Sequence, residues 1–420
     1  MTFRQAEDYL LGLELFGMRF GLDRMHKLMT VLGMPQRRFA SIHVVGSNGK
    51  SSTVRMIAAI LERHGLRTGS YTSPHLRSFA ERIEVGEQPL SEPAFASAVA
   101  RAAHAAQLVD RTLPEDDQVT QFEALTAAAY HELGRSGVEV AVVEAGLGGR
   151  YDATNVIPSK VQVLTNVGLE HTRWLGPTLE HIAREKLDVV RDHAVLVTGP
   201  LEPAVDEVAS EVAAARHAYR RRVTEPWAGP LRAAGQFQRR NFALAEAAAG
   251  AFLEASRISA PMGPQSRTVA EIAAREIAIP GRLEAIAQSP LTLIDGAHNP
   301  EGARALAEAL PEVTGGRRIT GLVGILEDKD AAEILRPLLP LFEHVIFTRS
   351  SNPRSLTPAT LESLSRQLGG PESATVADPR AALARARERA GRAGSVLATG
   401  SIYLIADLVA ERDAARASRL

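Results

Sequence analysis

Gly46-Ser47-Asn48-Gly49-Lys50-Ser51 is a run whose residue types suit the holding of phosphate. It follows a β-rich stretch at 41–45 and precedes a helical pattern that reaches about His64. Glycines let backbone N–H groups turn toward a ligand, a helix N-terminus adds partial positive charge, and a lysine reaches the outer phosphates. A hydroxyl directly after that lysine, here Ser51, suits Mg2+. The common pattern places four residues between its first glycine and its Gly-Lys pair. Counted from Gly46, this loop is shorter. Motors, GTPases, kinases and ligases all use such a loop, so other residues must choose among them.

Glu144 ends the apolar run 138–143 and is followed by Ala-Gly-Leu-Gly-Gly-Arg150. In an open parallel sheet the ligand crevice lies at the strand C-termini, so a carboxylate there can hold Mg2+ directly or through water. A surface glutamate ending a strand is the plainer alternative. His171 follows the next strand, 161–165, and reads equally as a second metal ligand or as a packed histidine. Lys186, in Ala-Arg-Glu185-Lys186-Leu on an expected helix, reads by pattern alone as a surface lysine. Further on, a strand runs into Asp295-Gly296-Ala297-His298-Asn299-Pro300. That polar cluster precedes a proline able to open a helix, and it is either a capping turn or one side of a crevice. With Arg282 before the junction and Asp295 and His298 after it, two domains could grip one nucleotide.

These side chains need a scaffold of alternating strands and helices. Residues 3–33, 92–108, 120–135, 178–191 and 241–256 are expected as helices. Strands are expected at 67–72, 82–86, 138–143, 161–165 and 194–198. The stretch 222–240 is rich in Pro and Gly and is expected to be irregular or strand-like. The alternation restarts after about 284–290, with strands at 291–294, 319–323, 344–347 and 395–397. Helices are expected there from about 300 and at 330–340, 357–367 and 378–393. The fold class is therefore α/β, a largely parallel sheet covered on both faces and followed by a second, smaller α/β domain, divided as 1–286 and 287–420. The net charge of -1, from 48 basic and 49 acidic residues, gives no reason to expect nucleic acid or an anionic membrane as partner. The Ala/Arg-rich stretch 380–394 reads as a solvated helix face. The absence of cysteine rules out disulfides and thiolate chemistry and fits a cytoplasmic protein. Glu7 and Asp8 stand where a signal peptide would carry positive charge before an apolar run, and no apolar stretch is long enough to span a membrane.

Together the stretches VVGSNGKSST, YTSPHLRSFAERIEV, VVEAGLGGRYDATNVI, LEHTRWLGPTLEHIAREK, PGRLEAI, LIDGAHNPEGARAL and GSIYLIADL resemble the folylpolyglutamate / dihydrofolate synthase branch of the Mur ligase family. They run in the family's order from about residue 40 to 407. The resemblance implies an N-terminal P-loop NTPase-like domain, a C-terminal Rossmann-like domain and an active site in the cleft between them. It implies an ATP-dependent amide ligase that adds L-glutamate to dihydropteroate or to (tetrahydro)folates, probed against two alternatives. One is a Mur-type ligase acting on a different small carboxylic acid, and the other is a regulatory phosphate-loop ATPase. A peptidoglycan Mur ligase carries an additional domain ahead of its loop, for which Lys50 comes too early. The cofactors implied are ATP and Mg2+, with carbamylation of Lys186 and a monovalent cation as further candidates. The partners implied are small molecules only, and the chain is expected to be a monomer.

By resemblance, Lys50, Lys186 and His298 are the catalytic residues. Gly46, Asn48, Gly49, Lys50, Ser51, Ser52, Asn241, Arg282 and Asp295 hold ATP. Ser51, Ser73, Glu144 and His171 are the metal ligands, and Asp152, Asn155 and Arg82 face the acceptor. Departures from the family pattern are Ser47 and Ser51 in a loop that usually reads Gly-Thr-Asn-Gly-Lys-Gly-Ser, Glu170 for the usual Asp before His171, and Leu187 for the usual Ala after the carbamate lysine.

Overall fold

A computed structural model of the chain describes residues 1–13, 21–256 and 264–410. Its first sheet contains β1 (Ala40–Val45), β2 (Thr68–Tyr71), β3 (Ile83–Val85), β4 (Gln88–Pro89), β5 (Val140–Glu144), β6 (Val161–Leu164), β7 (Val195–Thr198) and β8 (Tyr219–Arg222). Their spatial order is β4-β3-β2-β5-β1-β6-β7-β8. The run from β2 to β8 is parallel, and the short β3 and β4 close one edge antiparallel. β1, which feeds the phosphate loop, therefore lies inside the sheet between β5 and β6, and the chain leaves it toward both sides. Ligand crevices in such sheets form where that reversal occurs.

Alternation along each strand decides which helices cover which face. In β5, Val140 and Val142 pack with the helices Lys50–Arg63 and Gln236–Ala255. Ala141 and Val143 pack on the other side with Phe3–Gly12, Asp23–Val31, Glu92–Asp110 and Gln121–Arg135. Beyond β1, the helices Leu179–Leu187 and Pro203–Ala215 take over that second face, against Val45, Leu164 and Leu196. Burial of one such Val or Leu stabilises by roughly 1.5–3 kcal/mol, so a charge in place of Val140, Ala141, Val142 or Val143 would not be tolerated.

The second sheet contains β9 (Glu284–Gln288), β10 (Leu291–Ile294), β11 (Ile319–Val323), β12 (Phe342–Phe347), β13 (Ser373–Thr375) and β14 (Ser395–Thr399), in the order β13-β12-β11-β14-β10-β9. Only β9 is antiparallel. The helices Pro300–Thr314 and Ala331–Leu338 cover one face. Pro379–Ala390 and Ile402–Val409 cover the other, where Leu76 of the first domain also packs. The expected division at 286/287 falls inside β9, whose pairing with β10 makes it part of the second sheet.

Several expected elements differ in extent. The helix expected over 3–33 is two helices, Phe3–Gly12 and Asp23–Val31, with 14–20 outside the described residues. The helix expected from 241 starts at Gln236, right after Gly235 at φ 95. The helix Pro264–Glu276 and the strands β8, β9 and β13 were not expected at all. The side chains of the three strands are too polar or too short in run to show the period of a half-buried element. Among the described residues, no helix is long and apolar enough to cross a membrane.

Candidate active site in the interdomain cleft

The loop between β1 and the helix Lys50–Arg63 turns at two glycines with positive φ, Gly46 at 151 and Gly49 at 81. A Cβ on Gly46 would collide with Thr165 Oγ1, and one on Gly49 with Asn241 Oδ1. The loop is thus pressed between the end of β6 and the helix Gln236–Ala255, with no room for side chains at those points. The helix opens at Lys50 with no side-chain cap. Its first-turn N–H groups lack intrahelical partners by helix geometry and face the cleft as an anion site. Lys50 Nζ donates to the carbonyls of Gly46 and Ser47 at 3.0 and 3.2 Å, which keeps its charge over the loop. Ser52 Oγ accepts from Gln238 Nε2 at 3.3 Å, and Asn241 Nδ2 donates to Gln238 Oε1 at 3.0 Å.

Glu144 stands beside this loop at the end of β5 and is 2% exposed. Its Oε1 accepts from the Ser51 hydroxyl at 3.0 Å and its Oε2 from the Ser73 N–H at 3.1 Å. Burial pushes its carboxyl above the usual range, while the Lys50 charge opposes that shift. Among the described residues, no three His, Cys, Asp or Glu side chains gather closely enough to hold a metal. A cation at Glu144 would therefore draw on the Ser51 and Ser73 hydroxyls, water and phosphate oxygens. Mg2+ prefers such a mainly oxygen set with few carboxylates, so the residues present fit it. His171 lines the same cleft at φ 50, opening the short helix Thr172–Leu175. Its side chain is open to solvent on the cleft, yet crowding by the surrounding walls, with the charges of Lys329, Lys186 and Lys50 against that of Glu170, lowers its imidazole to about 4. It is neutral at pH 7, as a metal ligand must be.

Lys186 is a buried residue, contrary to its plain reading as a surface lysine, and only 2% exposed. Its Nζ donates to the Gly46 carbonyl at 3.0 Å and contacts Glu170 Oε1 at 3.2 Å. Burial lowers its pKa to about 8 against the pull of Glu170. Glu170, in turn, is held down to about 2 because the nearby Lys186, Lys50 and His171 outweigh its burial.

The second domain closes the cleft. Asp295 directly follows β10, and burial raises its pKa despite Arg282 nearby. Its oxygens accept the N–H groups of Leu283 at 2.9 Å and Ala297 at 2.8 Å, which ties the starts of both flanking segments together. His298 Nδ1 lies 2.9 Å from the Gly296 carbonyl. A carbonyl only accepts, so Nδ1 carries the proton and Nε2 keeps its lone pair. Burial and the charge of Lys329 hold the ring down to about 4. Arg282 Nη1 donates to the Gly281 carbonyl at 3.0 Å, and its guanidinium lines the cleft.

One cavity of roughly 1640 Å3 joins Asn48, Gly49, Lys50, Ser51, Ser52, Ser73, Glu144, Asp152, His171, Lys186, Asn241, Arg282, Asp295 and His298. Gly46 does not line it; its carbonyl accepts from Lys50 and Lys186. Two residues expected on the acceptor side do not line the cavity. Arg82 is 1% exposed, with Nε donating to His75 Nδ1 at 3.0 Å and its guanidinium 5.0 Å from the centre of the Phe79 ring. It lies behind the wall because the 3-10 turn Phe79–Arg82 points it into the first core. Asn155 is a brace: its Nδ2 donates to the Arg150 carbonyl at 3.0 Å and its Oδ1 accepts from Arg191 at 2.7 Å. Asp152 does reach the cavity and accepts from the N–H groups of Leu147 at 2.8 Å and Thr154 at 3.0 Å.

The cavity also contains Asn166, Glu301, Asp328, Lys329 and Arg354, none of which was singled out from the sequence. Lys329 contacts Asp328 at 3.2 Å, and Arg354 lies 3.7 Å from the same carboxylate. Extending the strand-end rule to β11 would have pointed to Glu327-Asp328-Lys329. Arg354 sits in an irregular loop that offers no such signal.

A phosphate loop, a buried carboxylate beside it, and a second α/β domain closing over both define a two-domain, ATP-dependent ligase. Residues 44–218 match the Mur ligase middle domain, and residues 281–402 match the Mur ligase glutamate ligase domain. The chain is 34% identical over 394 residues to the dihydrofolate synthase/folylpolyglutamate synthase of Mycobacterium tuberculosis, covering 85% of this chain and 80% of that one. It is 37% identical over 368 residues to the folylpolyglutamate synthase of Lacticaseibacillus casei, covering 81% and 84%. The Mycobacterium tuberculosis folylpolyglutamate synthase solved with ADP and AMPPCP superposes with a TM-score of 0.87 at 31% identity, over 96% of this chain and 97% of that one. Escherichia coli FolC, solved with DHPP and ADP, gives 0.83 at 29% identity, over 97% and 96%. The chain belongs to the folylpolyglutamate / dihydrofolate synthase family of Mur ligases.

Proposed function

We propose that this chain joins L-glutamate to dihydropteroate or to a reduced folate, forming ADP and phosphate through an acyl phosphate. The observation that carries this reading is the single cavity in which the phosphate loop and Glu144 of one domain face Arg282, Asp295 and His298 of the other. The acceptor carboxylate attacks the γ-phosphorus of ATP and ADP departs. The amino nitrogen of glutamate then attacks the acyl carbon, phosphate departs, and the nitrogen loses a proton. Bringing a carboxylate to a triphosphate sets like charges together, and Lys50 and Arg282 offset that repulsion. His298, neutral with Nε2 unprotonated, lines the cavity and can accept a hydrogen bond from the amine.

Bound Mg2+ would be held by Glu144, with Ser51, Ser73 and His171 around it, and would neutralise charge on the transferring phosphoryl group. Lys186, at a pKa of about 8, exchanges readily to the neutral amine that carbamylation requires. A monovalent cation would ease the contact between such a carbamate and Glu170. Asp152 serves the acceptor, and the domains divide just before β9. The protein acts as a monomer in the cytoplasm on small molecules alone.

The route is tested with an acceptor whose carboxylate carries a heavy-oxygen label. An acyl phosphate transfers one labelled oxygen to the released phosphate. Phosphate free of label would refute that intermediate.

A further inference from the structure

Asn48 stands in the phosphate loop, yet each of its polar atoms already has a partner within the protein. Its N–H donates to Asn166 Oδ1 at 2.8 Å, and its carbonyl accepts from Thr165 Oγ1 at 2.6 Å. Both partners belong to the first domain. Its side chain is taken up by the second domain. Asn299 Nδ2 donates to Asn48 Oδ1 at 2.9 Å, and Asn48 Nδ2 donates to Glu301 Oε2 at 3.4 Å. The orientation of the amide follows from its neighbours, because turning it over would set Oδ1 against the Glu301 carboxylate. Glu301 itself is pressed onto the backbone of Gly168, where a Cβ would collide with it.

From this geometry we infer that Asn48 is a positioning residue that couples the phosphate loop to the second domain. Asn299 is next to His298 and caps the helix Pro300–Thr314, its Oδ1 accepting the Gly302 N–H at 2.8 Å. The bond from Asn299 to Asn48 therefore sets the distance between His298 and the loop that carries Lys50. One amide spans the two halves of the reaction, phosphoryl transfer on one wall and attack by the amine on the other. This assigns to Asn48 a role other than the nucleotide contact that the loop motif implies.

The substitution Asn299→Asp isolates the coupling. Aspartate caps a helix as well as asparagine does, so the bond to Gly302 survives while the donor toward Asn48 is lost. The inference predicts that Asn299→Asp lowers kcat by about 10- to 100-fold, as a misplacement of about 1 Å does, with the affinity for ADP unchanged. Asn48→Ala should do the same, and the double variant should be no worse than the poorer single one, since both remove one interaction. Asn48→Asp, which sets two carboxylates together at Glu301, should be the most impaired. An additive double variant, or an Asn48→Ala variant that loses ADP affinity while Asn299→Asp keeps its kcat, overturns the inference. The turnover readout rests on the ligase reading, so a second readout is independent of it. Amide hydrogen exchange across residues 46–52 should quicken in Asn299→Asp, although the substitution lies in the other domain, and unchanged exchange there contradicts the coupling. Wild-type protein without acceptor-dependent turnover would refute the ligase reading while leaving the exchange result to decide this one.

Discussion

On the first-domain wall of the cleft, Glu144 and Lys186 are each 2% exposed and already engaged by neighbouring groups. On the second-domain wall, the side chains of Asp328, Lys329 and Arg354 keep exposures of 38%, 19% and 33%. The first wall is a set of buried polar groups held by strand ends and a tight loop, where little has to reorganise when charge moves. The second carries long side chains on loops after strands, able to adjust to an incoming small molecule. We propose that phosphoryl chemistry falls mainly to the first wall, with Arg282, Asp295 and His298 of the second domain closing on it, and that Asp328, Lys329 and Arg354 meet the amino acid.

Substitutions on the rigid wall should strike turnover hardest. Lys50→Ala should lower kcat by at least about 10²–10³, the scale for losing one group that stabilises transition-state charge. Steady-state phosphate release checks this, and near-normal activity would break the assignment of the loop. Lys186→Ala comes next. It should be slow and partly restored by a short-chain carboxylate such as acetate or formate, read as activity against added carboxylate. A fully active variant would remove the carbamate from the account. On the adaptable wall, Lys329→Ala should raise the KM for glutamate by about tenfold, the worth of one charge-assisted contact, and leave the KM for ATP nearly unchanged. An equal rise in both would erase the division between the walls.

The smallest expected effect is on stability against pH. His298 is held at about 4 in the folded chain, below the 6.5 it would have unfolded. A histidine with a lowered folded pKa favours the folded state fully above about pH 6.5, and that contribution is lost as the pH falls toward 4. Tm should therefore decline over that window, where His171, held at about 4, and His43, held at about 3, contribute as well, so His298→Gln should lessen the decline. A variant with the same slope as wild type would show that His298 is not among the titrating groups.

Much of the rigid wall was legible in the sequence because its parts are local. β1, the loop and the helix that follows are contiguous, and Glu144 ends a run of β-branched residues. The adaptable wall was harder to read. Lys329 and Arg354 become neighbours only when β11 and the loop after β12 are laid side by side, and Glu301 meets Gly168 only across the domain junction. Strand β8 was missed because Tyr219-Arg-Arg-Arg222 has no apolar face to betray it. The helix Ile402–Val409 was missed because it is only eight residues long and mostly apolar, a run that reads as readily as a buried strand. Arg82 shows the limit of the motif itself. A cation in a matching stretch was placed at the acceptor, yet the turn that carries it buries it behind the wall.

The central claim is that both walls serve one reaction, which consumes ATP only when an acceptor and an amino acid are present together. The direct measurement is phosphate release from ATP and Mg2+ with L-glutamate, compared among dihydropteroate, tetrahydrofolate and no acceptor. The account predicts release that requires both glutamate and a pterin-bearing acceptor, with the preferred acceptor separating synthase from polyglutamylase activity. Release indifferent to the pterin would contradict it and would leave a ligase fold serving a different carboxylic acid.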